Sequence, residues 1–177
     1  PTNTVPANQH HNGRALYLLA DIGGTNARFA FVEPDNPLPQ PIANYAVEDF
    51  PSFDGVLDQL EIDWLELQQQ DAVLERACLA VAAIPEQREI SFTNNAWRFT
   101  AASVATRLGC EQISIINDFA AIARALPALK ADSLEAIGGG EAAPYKPMVA
   151  IGPGTGTGVA SIVFDQAGAP IVLAGEG

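Results

Sequence analysis

Two glycine-rich turns stand far apart in this chain, Asp21-Ile22-Gly23-Gly24-Thr25-Asn26 and Gly152-Pro153-Gly154-Thr155-Gly156-Thr157-Gly158, and each lies between two apolar runs. Between them an isolated Asn117-Asp118 ends a third apolar run. Residues without side chains let backbone N–H groups approach a phosphate oxygen, and Thr25 and Asn26 add a hydroxyl and an amide. A carboxylate set between two such loops could accept the proton of an attacking hydroxyl. Together the pieces are what transfer of a phosphoryl group onto an alcohol requires.

Each piece alone has a plainer explanation. The first turn could be a tight hairpin whose glycines only take positive φ. The second is too long for a two-residue hairpin loop and could enclose a terminal phosphate, although Pro153 stiffens it and removes one amide donor. Neither turn is a GxxxxGK[ST] phosphate loop or a GxGxxG dinucleotide fingerprint. Asp21, at a strand end, could hold Mg2+ directly or through water, and Arg28 could meet a phosphate or form a surface ion pair. Asp118 could serve only as a helix N-cap. Asn94 and Asn95, inside Phe92-Thr93-Asn94-Asn95-Ala96-Trp97, could bind sugar hydroxyls or make a turn capped by a core tryptophan. Asp118-Phe119 resembles part of the protein-kinase Asp-Phe-Gly segment, but no His-Arg-Asp loop or lysine-bearing strand accompanies it.

These groups need elements to hold them. Ala15 to Ala20 predicts a buried strand, with Ala27 to Glu33 its partner across the first turn. Four prolines predict a loop from Pro34 to Pro41, followed by a strand from Ile42 to Val47. Ser52 is expected to cap a helix with apolar residues at Phe53, Val56, Leu57, Leu60, Trp64 and Leu65. The unbroken apolar run Ala77 to Ile84 predicts a strand buried on both faces. A short strand is expected at Ile90 to Thr93, a helix at Ala101 to Leu108 ended by Gly109, a buried strand at Ile113 to Ile116, and a helix from Ala120 to Leu129. Met148 to Ile151, Val159 to Phe164 and Pro170 to Leu173 then predict an antiparallel set.

That order predicts an α/β domain followed by the first strands of a similar one. Residues 1–14 read as a flexible polar leader, 15–131 as a small α/β domain, 132–147 as a linker containing Gly138-Gly139-Gly140, and 148–177 as the start of a second domain. The chain stops just after a strand, so the expectation is an N-terminal portion of something larger. Its 177 residues carry a formal net charge of −12, which argues against a nucleic-acid surface but leaves small phosphorylated ligands open. No apolar stretch reaches membrane-spanning length, and no signal-peptide pattern opens the chain. Cys78 and Cys110 are far apart and form no CxxC pair, as expected of reduced residues in a cytosolic core.

Assembled, the chain resembles the bacterial glucokinase family, of the long-form proteobacterial type within the hexokinase and actin-like ATPase superfamily. The segments that carry the resemblance are Leu19-Ala-Asp-Ile-Gly-Gly-Thr-Asn-Ala-Arg-Phe-Ala30, Thr93-Asn-Asn-Ala-Trp97, Ile116-Asn-Asp-Phe119, the glycine run 152–158 and Gly175-Glu-Gly177. The resemblance implies a ribonuclease-H-like domain, the beginning of a second, and ATP-dependent phosphorylation of glucose at its 6-hydroxyl in the cytoplasm. It implies Asp118 as general base, with Asn117, Asp118 and Glu176 as sugar ligands, to which the amides of Asn94 and Asn95 are added as candidates from their residue type. Residues Ala20, Asp21, Ile22, Gly23, Gly24, Thr25 and Asn26, with Gly154, Thr155 and Gly156, would hold the phosphates of ATP, and Asp21 would serve Mg2+. A homodimer is expected, without nucleic-acid or membrane partners. Ala20 stands where the family often has glycine.

The family's adenosine pocket and later sugar-binding residues have no counterpart in these residues, so the 177-residue chain alone is expected to bind sugar weakly and to turn over little or no ATP. Two alternatives remain on the same fold. One is a sugar-sensing regulator without catalysis, whose known forms carry an N-terminal helix-turn-helix for which the leader is too short. The other is a kinase of another hexose. A carboxylate substrate fits less well, because few cations lie near these motifs.

Overall fold

The structure, a computed structural model, describes residues 14–67, 72–110, 112–140, 143, 145–153 and 157–175. The expectations placed on Gly154, Thr155, Gly156, Glu176 and the leader up to residue 13 lie outside the described residues. Strands β1 (Arg14–Ile22), β2 (Asn26–Glu33) and β3 (Asn36–Ala46) come first, then helix α1 (Phe53–Leu67) and strand β4 (Ala72–Val81). Two short strands follow, β5 (Ile90–Ser91) and β6 (Arg98–Phe99), then helix α2 (Ala101–Leu108), strand β7 (Gln112–Asn117) and helix α3 (Asp118–Ala125). Strands β8 (Met148–Pro153), β9 (Thr157–Phe164) and β10 (Pro170–Ala174) close the order.

Five strands form one sheet in the order β3-β2-β1-β4-β7, and β10-β9-β8 form a second. The first three strands are an antiparallel meander, whereas β1, β4 and β7 run parallel. Parallel neighbours require crossovers, which α1 and α2 supply. Alternation along β1 turns Leu16, Leu18, Ala20 and Ile22 inward. Leu18, Ala20 and Ile22 pack with Phe53, Val56, Leu57 and Leu60 of α1 and with Ala77, Leu79 and Val81 of β4. Phe53 stacks on Phe99 at 4.2 Å and lies 5.7 Å from Trp97, whose indole N–H donates to the Phe50 carbonyl at 2.9 Å.

Local signals place the helix ends. Ser52 Oγ accepts from Gly55 N–H at 3.3 Å at the start of α1. Thr100 caps α2 in a reciprocal pair with Ser103, and Gly109 ends that helix at φ 61°. Four expectations change. Pro34 to Pro41 is not a loop, because β3 begins at Asn36. It is an edge strand, where prolines without an N–H are tolerated, and its register with β2 shifts across the proline stretch. Strand β4 is buried on one face only, with Cys78 and Ala80 half-buried on the other. The helix expected through Leu129 gives way to a 3-10 turn at Leu126–Ala128, where Pro127 supplies no N–H. On α1, Leu65 is exposed rather than buried.

Among the described residues no helix is long and apolar enough to cross a membrane. Phe53→Ala should cost about 3–5 kcal/mol, because it empties the centre of the aromatic cluster. Urea unfolding followed by Trp97 fluorescence measures this, and a loss below about 1 kcal/mol would place the core elsewhere.

Candidate active site

The pairing registers bring Ile22, Val81 and Asn117 side by side at the carboxyl ends of the three parallel strands. Such an edge is where α/β sheets present ligand-binding groups. The first glycine turn begins there. Gly23 N–H donates to the Asn26 carbonyl at 2.9 Å and closes the turn, and the Thr25 carbonyl accepts from Val47 N–H at 2.9 Å. Neither Gly23 nor Gly24 has a positive φ. Left-handed geometry therefore does not explain these glycines. At Gly24 the reason is close packing, since an added Cβ would lie 3.2 Å from Asn94 Nδ2. At Gly23 an added Cβ would meet only the Asn26 carbonyl oxygen, at an ordinary 3.7 Å. Nothing inside the described protein demands glycine at that position.

Asn117 and Asp118 divide their work differently from the simplest expectation. The helix cap is Asn117, whose Oδ1 accepts from Ala120 N–H at 3.0 Å, and Asp118 is the first helical residue. Asn117 Nδ2 also donates to Asp118 Oδ1 at 3.0 Å, and Phe119 N–H donates to the same oxygen at 2.8 Å. One carboxylate oxygen is thus held by two donors. Burial raises the Asp118 pKa above the ordinary 3.8, the Phe119 N–H opposes that, and repulsion from Asp21 adds to the rise. The register that sets Ile22 and Asn117 on either side of Val81 places Asp118 at the same sheet edge as the first turn.

Alternation turns Asp21 away from the core, between the inward Ala20 and Ile22. It pairs across the strands with Arg28, Arg28 Nη1 to Asp21 Oδ2 being 2.9 Å. Both side chains are more than half exposed, so the pair is worth little and can open. Of the two asparagines, Asn94 lies against Gly24. Asn95 makes a local turn, its Oδ1 accepting from Trp97 N–H at 2.9 Å, which is the structural alternative for this segment. Its Nδ2 is buried without a hydrogen-bond partner among the described residues.

The second glycine hairpin is described only at its base, where Gly152 pairs with Gly158 and Pro153 with Thr157. Helix α3 lies on it, with Ala123 packed against Ala150 and Ala160 and with Phe119 beside them. An added Cβ on Gly152 or Gly158 would fall inside the space of the Phe119 ring. Sequence reasoning left Phe119 out of the site. The mirrored small residues Ala150-x-Gly152 and Gly158-x-Ala160 were the available signal, since they share one face of the hairpin.

A meander joined to parallel strands, with a second sheet beginning beyond it, defines the actin-like ATPase class of α/β proteins. The glucokinase from an Antarctic psychrotroph superposes with a TM-score of 0.71 at 32% identity, covering 92% of this chain and 50% of that one. A ROK family transcriptional regulator shares the fold at a TM-score of 0.53 and 14% identity, covering 85% of this chain and 37% of that one. A curated glucokinase of Cronobacter sakazakii is 37% identical over 146 residues, 82% of this chain and 44% of that protein. The family model described as Glucokinase matches residues 18–177. The chain belongs to the glucokinase family, and it spans about half the length of the curated relatives it matches.

Asp118→Asn tests the electrostatics. A folded-state pKa above the unfolded value means that ionised Asp118 disfavours folding, and the stability lost on ionisation goes as pH rises from the unfolded towards the folded pKa. At pH ~7 the variant keeps both donated hydrogen bonds without a buried charge, so its thermal midpoint should equal or exceed that of the parent. A midpoint lower by more than about 4 °C would contradict this. Asn117→Ala should instead destabilise by about 1 kcal/mol through loss of the cap, measured by denaturant unfolding.

Proposed function

We propose that the intact protein phosphorylates glucose at its 6-hydroxyl with ATP, giving glucose 6-phosphate and ADP. The single observation that carries the reading is Asp118. It is a half-buried carboxylate with a raised pKa, held by Asn117 and Phe119 N–H beyond the parallel strand ends and electrostatically coupled to the first glycine turn. The sugar oxygen attacks the γ-phosphorus while the bond to the β–γ bridging oxygen breaks. Asp118 accepts the hydroxyl proton and ADP leaves. A pKa raised above the usual aspartate value makes this carboxylate a stronger base.

The turn from Ala20 to Asn26 would line the phosphates, with Gly23 N–H already donated to the Asn26 carbonyl, and Gly154, Thr155 and Gly156 would present amides from the second hairpin. Gly23 supports this assignment, because neither φ nor internal packing requires a glycine there and close approach of a ligand does. Asn117 positions Asp118 beside the sugar. Asn94, Asn95 and Glu176 complete the proposed sugar contacts, and the orphaned Asn95 Nδ2 is a donor in need of an acceptor.

Asp21 fits Mg2+ as an exposed carboxylate whose partner Arg28 can release it, which suits an ion carried mainly by nucleotide phosphates and water. When bound, Mg2+ would neutralise charge on the β- and γ-phosphates. The division into a small domain over 15–131, a linker over 132–147 and a larger domain from 148 follows the composition, with closure between them excluding water. A homodimer working in the cytoplasm completes the proposal, as the family resemblance implies.

The test is glucose 6-phosphate formation by the intact protein with ATP, run beside a panel of other hexoses. Asp118→Asn should lower kcat by about 10²–10⁴. The acid limb of the parent's kcat/KM profile should lie above the ordinary aspartate value of 3.8. Near-normal turnover by Asp118→Asn would remove the base from this reading. Gly23→Ala should leave stability unchanged or raise it by about 0.4–1 kcal/mol while raising KM for ATP. An unchanged KM would take the first turn out of the phosphate site.

A further inference from the structure

The base of the second hairpin carries two glycines directly opposite one another, Gly152 and Gly158, followed along the same face by the opposed pair Ala150 and Ala160. Glycine inside a strand has no side chain to pack and costs about 0.5–1 kcal/mol relative to alanine. Neither glycine has a positive φ. The Phe119 ring explains both. A Cβ on Gly152 would come within 3.0 Å of ring atoms, and one on Gly158 closer still. One helical turn further along α3, Ala123 is fully buried against Ala150 and Ala160. The i and i+4 positions of the helix therefore meet two successive small pairs of the hairpin, and the largest side chain faces the smallest pair.

The seated ring is joined to Asp118 by one peptide bond, and Phe119 N–H donates to Asp118 Oδ1 at 2.8 Å. Any shift of the hairpin base presses on the ring, moves this N–H and re-aims the carboxylate. We propose that Phe119 is a positioning residue, whose ring in the Gly152–Gly158 socket couples the second glycine hairpin to the orientation of Asp118. This rests on the kinase reading above. It adds that the described base of the second hairpin and the aim of Asp118 form one mechanical unit. Phe119 would act through Asp118, and the glycines at the hairpin base make room for its ring.

The experiment uses the intact protein and a double-variant cycle of Phe119→Ala and Gly158→Ala, with Phe119→Leu as the milder variant should alanine impair folding. Thermal midpoints and glucose affinity without nucleotide are measured alongside kcat and KM for ATP. Coupling predicts that Phe119→Ala lowers kcat roughly tenfold or more, a larger loss than any it causes in glucose affinity. Gly158→Ala should do the same by displacing the ring. In the Phe119→Ala background Gly158→Ala should add less than about a twofold further loss, because no ring remains to displace. Phe119→Leu should retain an intermediate kcat.

Two results would overturn the proposal. One is a Phe119→Ala protein whose kcat and KM for ATP stay within about twofold of the parent although its melting temperature falls, the mark of a packing role alone. The other is a pair of losses that multiply in the double variant, the mark of independent sites. If the unsubstituted intact protein phosphorylates no hexose, the kinase reading fails and the positioning role fails with it. An active parent with an indifferent Phe119 removes only the coupling.

Discussion

Parallel pairing of β1, β4 and β7 in one register governs the rest of the molecule. Because Ile22, Val81 and Asn117 are neighbours across that sheet, three chain segments separated by dozens of residues stop at a common edge. Each strand then turns into a different functional element: the first glycine turn, the loop toward Asn94, and the start of α3. Backbone hydrogen bonding sets this alignment, and a slip by one residue would send every inward side chain outward. The aromatic cluster of Phe53, Phe92, Trp97 and Phe99 makes such a slip costly by filling the space under the sheet.

Electrostatics at the edge work against stability and in favour of chemistry. An acid partly removed from water beside a second acid is a poor choice for folding, yet that placement makes Asp118 a better proton acceptor. The cost is limited by two donors on one oxygen and by the exposed Arg28, which offsets the neighbouring Asp21. Asn117 serves both ends, since the same side chain caps α3 and holds the carboxylate. Stability and geometry at this point are therefore hard to alter separately.

Glycine carries three meanings in this chain, and only the three-dimensional contacts tell them apart. Gly109 takes a left-handed conformation that ends α2. Gly24, Gly152 and Gly158 yield space to a side chain from elsewhere, Asn94 in the first case and Phe119 in the others. Gly23 has neither reason, and that is the ground on which the proposed phosphate contact at this position rests. A motif regex treats all of them alike.

Much of the fold was legible along the chain because its signals are local. Ser52, Thr100 and Gly109 mark helix ends through bonds to residues three or four positions away, and alternation in β1 and β2 exposes their inward face without knowledge of a partner. The candidate phosphate turns and the Asn117-Asp118 pair were visible for the same reason. Contacts between distant segments decided the remainder. Prolines at 37, 39 and 41 read as a loop until the strand that holds them, β3, proves to be the sheet edge. Asn117 rather than Asp118 becomes the cap once the strand end is placed. The seat of Phe119 needs residues 119, 152 and 158 together, and no local propensity encodes a fit between side chains that meet only after the chain has folded.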